Sequence, residues 1–318
     1  MYFPYVRGRQ YELLALRELA ENDLLDSYVI PIVEPVKLSP TLIKTMAEYV
    51  KGNHYISVIR NPAVGSFMND LRDAKDGTKE GAYKDDFRVQ YNEKAIIKAI
   101  IMQKNAHSLL EHWNSNNVNK AELLVINNDR EYLELYEREF GEAPPRYALI
   151  PDESAFRRKV RHKRVLLDDK FEKQERNADY GKEEDEFFSD DHLYFKDDGF
   201  EGFSDYSVVG NEFLEAGFAP YAVAIHIVYF APDNSLRVRH FVSDSNEDIT
   251  NPAKKFYEAV SKLASWYRVE PAPVKMTLGL QTLLEHYDNQ TYPGLGSVKK
   301  LSLMHHLELM GKYLGEGK

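Results

Sequence analysis

Short apolar runs alternate with stretches whose apolar positions recur every three to four residues, the pattern of buried strands alternating with helices that bury one face. Tyr2 to Val6 reads as an extended segment, and from about Arg9 to Asn22 the side chains of Leu13, Leu16, Leu19 and Ala20 share a helical face. Tyr28 to Val36 (YVIPIVEPV) is a buried-strand pattern, after which Ser39 caps and Pro40 opens a helix to about Lys51. His54 to Ile59 is a strand that Pro62 stops. Ala63 to Asn92 is a polar excursion with a short helical patch at Phe67 to Ala74, and Ala95 to Met102 (AIIKAIIM) fits a helix or a strand equally. Beyond it come a helix (Ala106 to Asn116), a strand (Leu123 to Ile126), a helix (Glu131 to Phe140) closed by Gly141, a strand (Tyr147 to Ile150), a basic helix (Ser154 to Arg161) and a strand (Arg164 to Leu167).

An acidic, aromatic insertion follows at about 169–202, then a strand at Phe203 to Val209 and a short helix at Glu212 to Ala216. Ala222 to Phe230 pairs with Leu236 to Ser243 through the turn Pro232-Asp233-Asn234, and three helices finish the chain at Pro252 to Tyr267, Met276 to Tyr287 and Ser297 to Leu314. With Ala95 to Met102 taken as a strand, eight precede the hairpin, which predicts an α/β fold: a TIM-like (β/α)8 barrel over 1–270 with a lid-like insertion and a C-terminal helical extension at 271–318. The alternative is an open doubly wound sheet. Such a sheet normally carries a glycine-rich first turn, where this chain has Glu34-Pro35-Val36-Lys37.

Composition narrows the chemistry. The 318 residues are 43% apolar, enough for a core, and contain no cysteine, which excludes disulfides, thiolate metal sites and a cysteine nucleophile. A net charge of −10 opposes broad adhesion to nucleic acid. Arg7, Arg9, Glu12 and Arg17 interrupt any signal-like apolar centre at the N-terminus, so a cytoplasmic protein is expected.

In a barrel the residues just past the strands build the site. Glu34 and Lys37 stand first: the carboxylate suits a base or metal ligand, and the lysine suits an ion-pair partner, a phosphate contact or, if desolvated, a Schiff base. Arg60, Asn61, Asp168 and Asp169 follow at other strand ends. His226 interrupts a buried strand, with His240 in the adjoining one; with Asp168 or Asp205 they suit a metal site or an acid–base pair, and satisfied core histidines are the plainer reading. Arg176, Asp179, Asp190, Asp191 and Asp205, in or beside the insertion, can face a ligand or a divalent cation such as magnesium. The basic run Arg157 to Arg164 either pairs with the insertion or offers a phosphate-binding face. Lys299, in the first turn of the last helix behind Gly294 and Gly296, is placed for an anion.

The segments MYFPYVRGRQYELLALREL and VIPIVEPVK, then RNADY, FFSDDHLY and GFSDYS, and finally KKLSLMHHLELM resemble a bacterial family similar to the beta-protein group of phages and bacteria. That resemblance implies a barrel-like cytoplasmic protein of phage-defence or mobile-element modules, with a nuclease-like partner; it carries over no catalytic residue. Three functions are expected: a ligand- or partner-binding barrel for a phosphate-containing ligand, a metal-dependent phosphodiesterase or nuclease-like hydrolase using Glu34, Asp168, Asp205 and His226, and, third, a Schiff-base enzyme through Lys37.

Overall fold

The computed structural model describes residues 1–214, 220–269 and 274–316, and a closed parallel barrel forms its centre. The barrel strands are β1 (Tyr5–Val6), β2 (Ile32–Val33), β3 (Ile56–Ile59), β4 (Ile96–Ile101), β5 (Leu124–Ile126), β6 (Tyr147–Ile150), β7 (Arg164–Leu167) and, past β8 (Asp185–Ser189) of a second sheet, β9 (Gly202–Ser204). The ring closes between last and first: Phe3 N donates to Phe203 O at 2.9 Å and Tyr5 N to Asp205 O at 2.8 Å. Closure leaves the barrel without an open edge. The run Ala95 to Met102 is strand β4, pairing Ile56 with Ile96 on one side and Ala99 with Leu124 on the other.

Alternation sorts the strand residues. Phe3, Tyr5, Ile32, Ile59, Ala99, Ile126, Leu149 and Leu167 fill the barrel, while Val33, Val58, Ile100, Val125, Ala148 and Leu166 face the outer helices. Those helices are α1 (Gln10–Glu21), α2 (Pro40–Gly52), α3 (Phe67–Asp73), α4 (Lys79–Tyr91), α5 (Ala106–Ser115), α6 (Leu133–Phe140) and α7 (Ser154–Lys159). Ser39 accepts from Leu42 N at 3.2 Å to open α2, and Asn53 closes it in the left-handed region at φ 56°. Helix α4 lies inside the polar excursion. Thr78 caps it, and its burial rests on Gly81, Phe87 and Tyr91, with the Phe87 ring 5.2 Å from Phe67.

The acidic insertion packs through Phe171, Tyr180, Phe188, Phe195 and Phe200, contributes the short helix α8 (Asp191–Tyr194), and supplies β8 to a three-stranded antiparallel sheet with β10 (Ala224–Phe230) and β11 (Leu236–Val242). The helix expected at Glu212 to Ala216 is absent from Glu212 to Leu214, and its remainder lies outside the described residues. Three helices complete the chain: α9 (Pro252–Val269), α10 (Leu278–Asp288) and α11 (Leu295–Glu316). Helix α11 packs against α1, α10 and β10, so every residue from Leu301 to Gly311 is buried. Among the described residues no helix is long and apolar enough to cross a membrane.

Candidate functional site

The axial mouth of the barrel is filled by side chains that satisfy one another. Glu34 is fully buried; its Oε2 accepts from the Tyr5 hydroxyl at 2.7 Å and from the Arg7 guanidinium, and its Oε1 accepts from Ala63 N at 2.7 Å. The Tyr206 ring sits 4.8 Å from that of Tyr5, and the Arg7 guanidinium carbon lies 5.4 Å from both. Burial first, then the Glu34 charge, hold the Tyr5 hydroxyl well above its usual range, so it stays a donor. Both Glu34 oxygens accept hydrogen bonds from within the protein, and the side chain is fully buried. Its cation is Arg7, while Lys37 is exposed beside α3.

Other expected site residues also have partners within the protein. The Asn61 side chain accepts from Ile101 N at 2.9 Å and donates to Ile101 O at 2.8 Å, extending the β3–β4 pairing by one side chain. Arg60 reaches Met68 Sδ at 3.3 Å, and burial lowers its pKa. Asp168 is exposed and pairs with Lys170 at 2.8 Å, which also holds Asp191 at 3.0 Å. Arg176 and Asp179 form a surface pair at 3.1 Å with Lys182 alongside. Asp205 is buried between the Tyr2 hydroxyl (2.8 Å) and Ser207 N (2.7 Å), which both donate to it.

Two of the expected site residues, His226 and Lys299, converge elsewhere, with His240 behind them. Beside the plugged mouth, a cavity of about 220 Å³ opens between the segments after β7 and β9, strand β10 and the start of α11. Phe171, Tyr180, Val208, Val223 and Val298 form apolar walls, and Lys173, Asn177, His226, Lys299 and Ser302 supply the polar groups. Lys299 is accessible from the cavity, yet the protein around it desolvates its ammonium and lowers its pKa. Among the described residues it has no ion-pair partner, whereas Lys173 pairs with Glu212 at 2.6 Å. A larger groove of about 810 Å³, lined by Asp23, Asp26, Asn53 and His54, lies among the helix-to-strand loops at the opposite end of the barrel, where conserved chemistry is not placed in this architecture.

Behind the cavity wall runs a chain of hydrogen bonds. His226 and His240 face each other across β10 and β11, with their Nδ1 atoms 2.7 Å apart, and His240 Nε2 lies 2.9 Å from Glu186 Oε1 on β8. His226 packs edge-on to Tyr180 at 4.6 Å and Phe171 at 5.1 Å. Burial lowers the pKa of both imidazoles; for His226 the next causes are His240 and Lys299, and for His240 the Glu186 carboxylate pulls the other way. Both shifts favour the neutral form of the rings near pH 7. Among the described residues no group of three or more histidine, aspartate or glutamate side chains is arranged to hold a metal ion.

Lys173, Asn177, Tyr180 and Glu186 were not legible as site residues. The first three lie in the insertion, and Glu186 joins only through the β8–β11 pairing, 54 residues from His240. The register of the hairpin, symmetric about Asp233, was the available signal that His226 opposes His240. Comparison with protein-family models, curated proteins and solved structures returns no match.

Proposed function

We propose that this chain is a ligand-binding barrel whose cavity takes a small phosphate-bearing anion. The observation that carries this reading is the position of Lys299. It opens on a cavity lined by the segments after the seventh and eighth barrel strands and by the first two turns of α11, which begins at Leu295, so that Ser297 lies inside the helix instead of capping it and Lys299 stands in the second turn; this is the region where TIM barrels frequently bind phosphate. His226, Lys173 and Ser302 provide further polar contacts, and the apolar walls limit water. Isothermal titration with inorganic phosphate tests it: the wild type binds, Lys299→Met weakens binding about tenfold or more, and Lys37→Met leaves it unchanged. Absence of binding, or an unaffected Lys299→Met protein, overturns the reading.

The resemblance of the chain's segments to the beta-protein group supports placing this binder in a phage-defence or mobile-element module beside a nuclease-like partner. Co-expression with the product of the adjacent gene is expected to yield a complex that survives size-exclusion chromatography. Separate elution both with and without phosphate removes that setting.

A further inference from the structure

We propose that His226 makes the cavity selective for an anion that carries its own O–H group, so that hydrogen phosphate is taken in preference to sulfate. This rests on the anion-binding reading above and adds the protonation state of the ligand to it.

The argument starts at Glu186. A carboxylate oxygen accepts hydrogen bonds, so the 2.9 Å contact assigns the proton to His240 Nε2. In neutral His240 the other nitrogen, Nδ1, is then a lone pair. The 2.7 Å contact between the two Nδ1 atoms requires one proton, and only His226 can supply it. His226 is thereby fixed with Nδ1 protonated, leaving a lone pair on Nε2, at the far side of the ring from His240, for the cavity that the residue lines. No described residue hydrogen-bonds to that nitrogen. The rings cannot swap roles by turning: His240 is 2% exposed, and both pack against Phe171 and Tyr180.

Protonating His226 instead would place a cation beside Lys299 of α11 and Lys173 after β7. Tyr180 and His240 are the titratable groups packed on it; Glu186 sits on the opposite nitrogen of His240, and the charges of Asp185 and Glu183 act on His240. Near neutral pH the cavity therefore offers a cation and an acceptor together. Sulfate has only acceptor oxygens, and its lone pairs would oppose that of Nε2. Hydrogen phosphate has the same shape and donates an O–H into it. A phosphate ester with a free hydroxyl can donate in the same way. Leaving an acceptor unmatched in such a site weakens binding about tenfold.

The test is isothermal titration at pH 7.5 with inorganic phosphate, sulfate and glycerol 3-phosphate against the wild type, Lys299→Met and His226→Gln. Phosphate is expected to bind about tenfold or more tightly than sulfate. The glutamine side chain, which both donates and accepts, is expected to bring the two close to parity while retaining the wild-type thermal transition. Glycerol 3-phosphate matching phosphate supports donation through a ligand hydroxyl, and weaker binding supports donation through the phosphate O–H. Equal affinities in the wild type overturn the selectivity while leaving the anion site intact. No binding of any of the three removes the anion site itself. Should His226→Gln fail to fold, the wild type decides alone: sulfate is expected to bind only with proton uptake, read from titrations in buffers of different ionisation enthalpy, and tight sulfate binding without uptake overturns the proposal.

Discussion

Three donors meet one buried carboxylate at Glu34, and their number decides what the residue does. Tyr5, Ala63 N and Arg7 occupy both oxygens, so the charge is compensated where it lies and is unavailable to a ligand. Lys299 is the reverse case, a cation open to a cavity with no ion-pair partner among the described residues. Both stood out in the sequence, as a charge inside an apolar run and a lysine at a helix start. Neither partner set was legible, because Arg7 and Ala63 reach Glu34 from two other strand ends. Glu34→Gln can still accept at one end but loses the charge that pairs Arg7. It is expected to lower stability by about 3 kcal/mol in urea unfolding and to leave phosphate affinity at the cavity within about twofold of wild type. The opposite pattern, intact stability with lost binding, would return Glu34 to the ligand site.

At the level of elements, what could be read depended on whether an element's burial was written in its own residues. The barrel strands were visible because each is an apolar run, and only β4 needed its neighbours: its composition suits helix and strand alike, and pairing with β3 and β5 chooses. Strand β8 reads DEFFS and was hidden because its polar residues are satisfied by the next strands. Asp185 accepts from the Tyr229 hydroxyl at 2.6 Å and pairs with Arg237, and Glu186 accepts from His240. Helix α4 was hidden for the opposite reason, since its large buried side chains, Phe87 and Tyr91, occupy a single helical turn. In α11 the stripe Leu301, Met304, Leu307 and Met310 announced one packed face, but the neighbours cover all of them. His305 is bonded to Thr277 Oγ1 and Val228 O, both at 2.7 Å, and Glu308 accepts from Leu278 N at 2.8 Å at the start of α10. That enclosure needs Gly279, where a Cβ would lie 2.3 Å from Leu301 O and 2.8 Å from His305 N. The candidate cavity is a product of this arrangement, because α11 brings Lys299 to walls built by the insertion, the segment after β9 and the hairpin.

Across the whole molecule, the net charge of −10 says little about the cavity, where lysine and neutral histidine set the local field, but the buried titratable groups do make stability depend on pH in a definite direction. Burial lowers the pKa of His192, His226, His240, His305 and His306, the last two to about 4 and about 3. The unfolded chain takes up these protons from about pH 6.5 downward while the native state does not, so acidification favours unfolding. Between pH 6.5 and 5, His305 and His306 together cost about 3 kcal/mol, the slope rising toward about 1.36 kcal/mol per pH unit each as the unfolded histidines become fully protonated. Asp205 acts in the other sense. Burial is the main cause raising its pKa from 3.8 to about 7, so the native state holds a proton over that interval that the unfolded chain has lost, and its contribution improves as pH falls. From pH 7 to 5 the gain is about 2–3 kcal/mol, two units at 1.36 kcal/mol, partly offsetting the histidines. Asp205→Asn keeps an oxygen to accept from Tyr2 and Ser207 N but abolishes the titration. The variant is therefore expected to be more stable than wild type at pH 7.5 and to lose that advantage by about 2–3 kcal/mol at pH 5, as urea midpoints at the two values would show. If both proteins lose stability in parallel over this range, Asp205 is ionised where it lies, and the polar contacts from Tyr2 and Ser207 outweigh its burial.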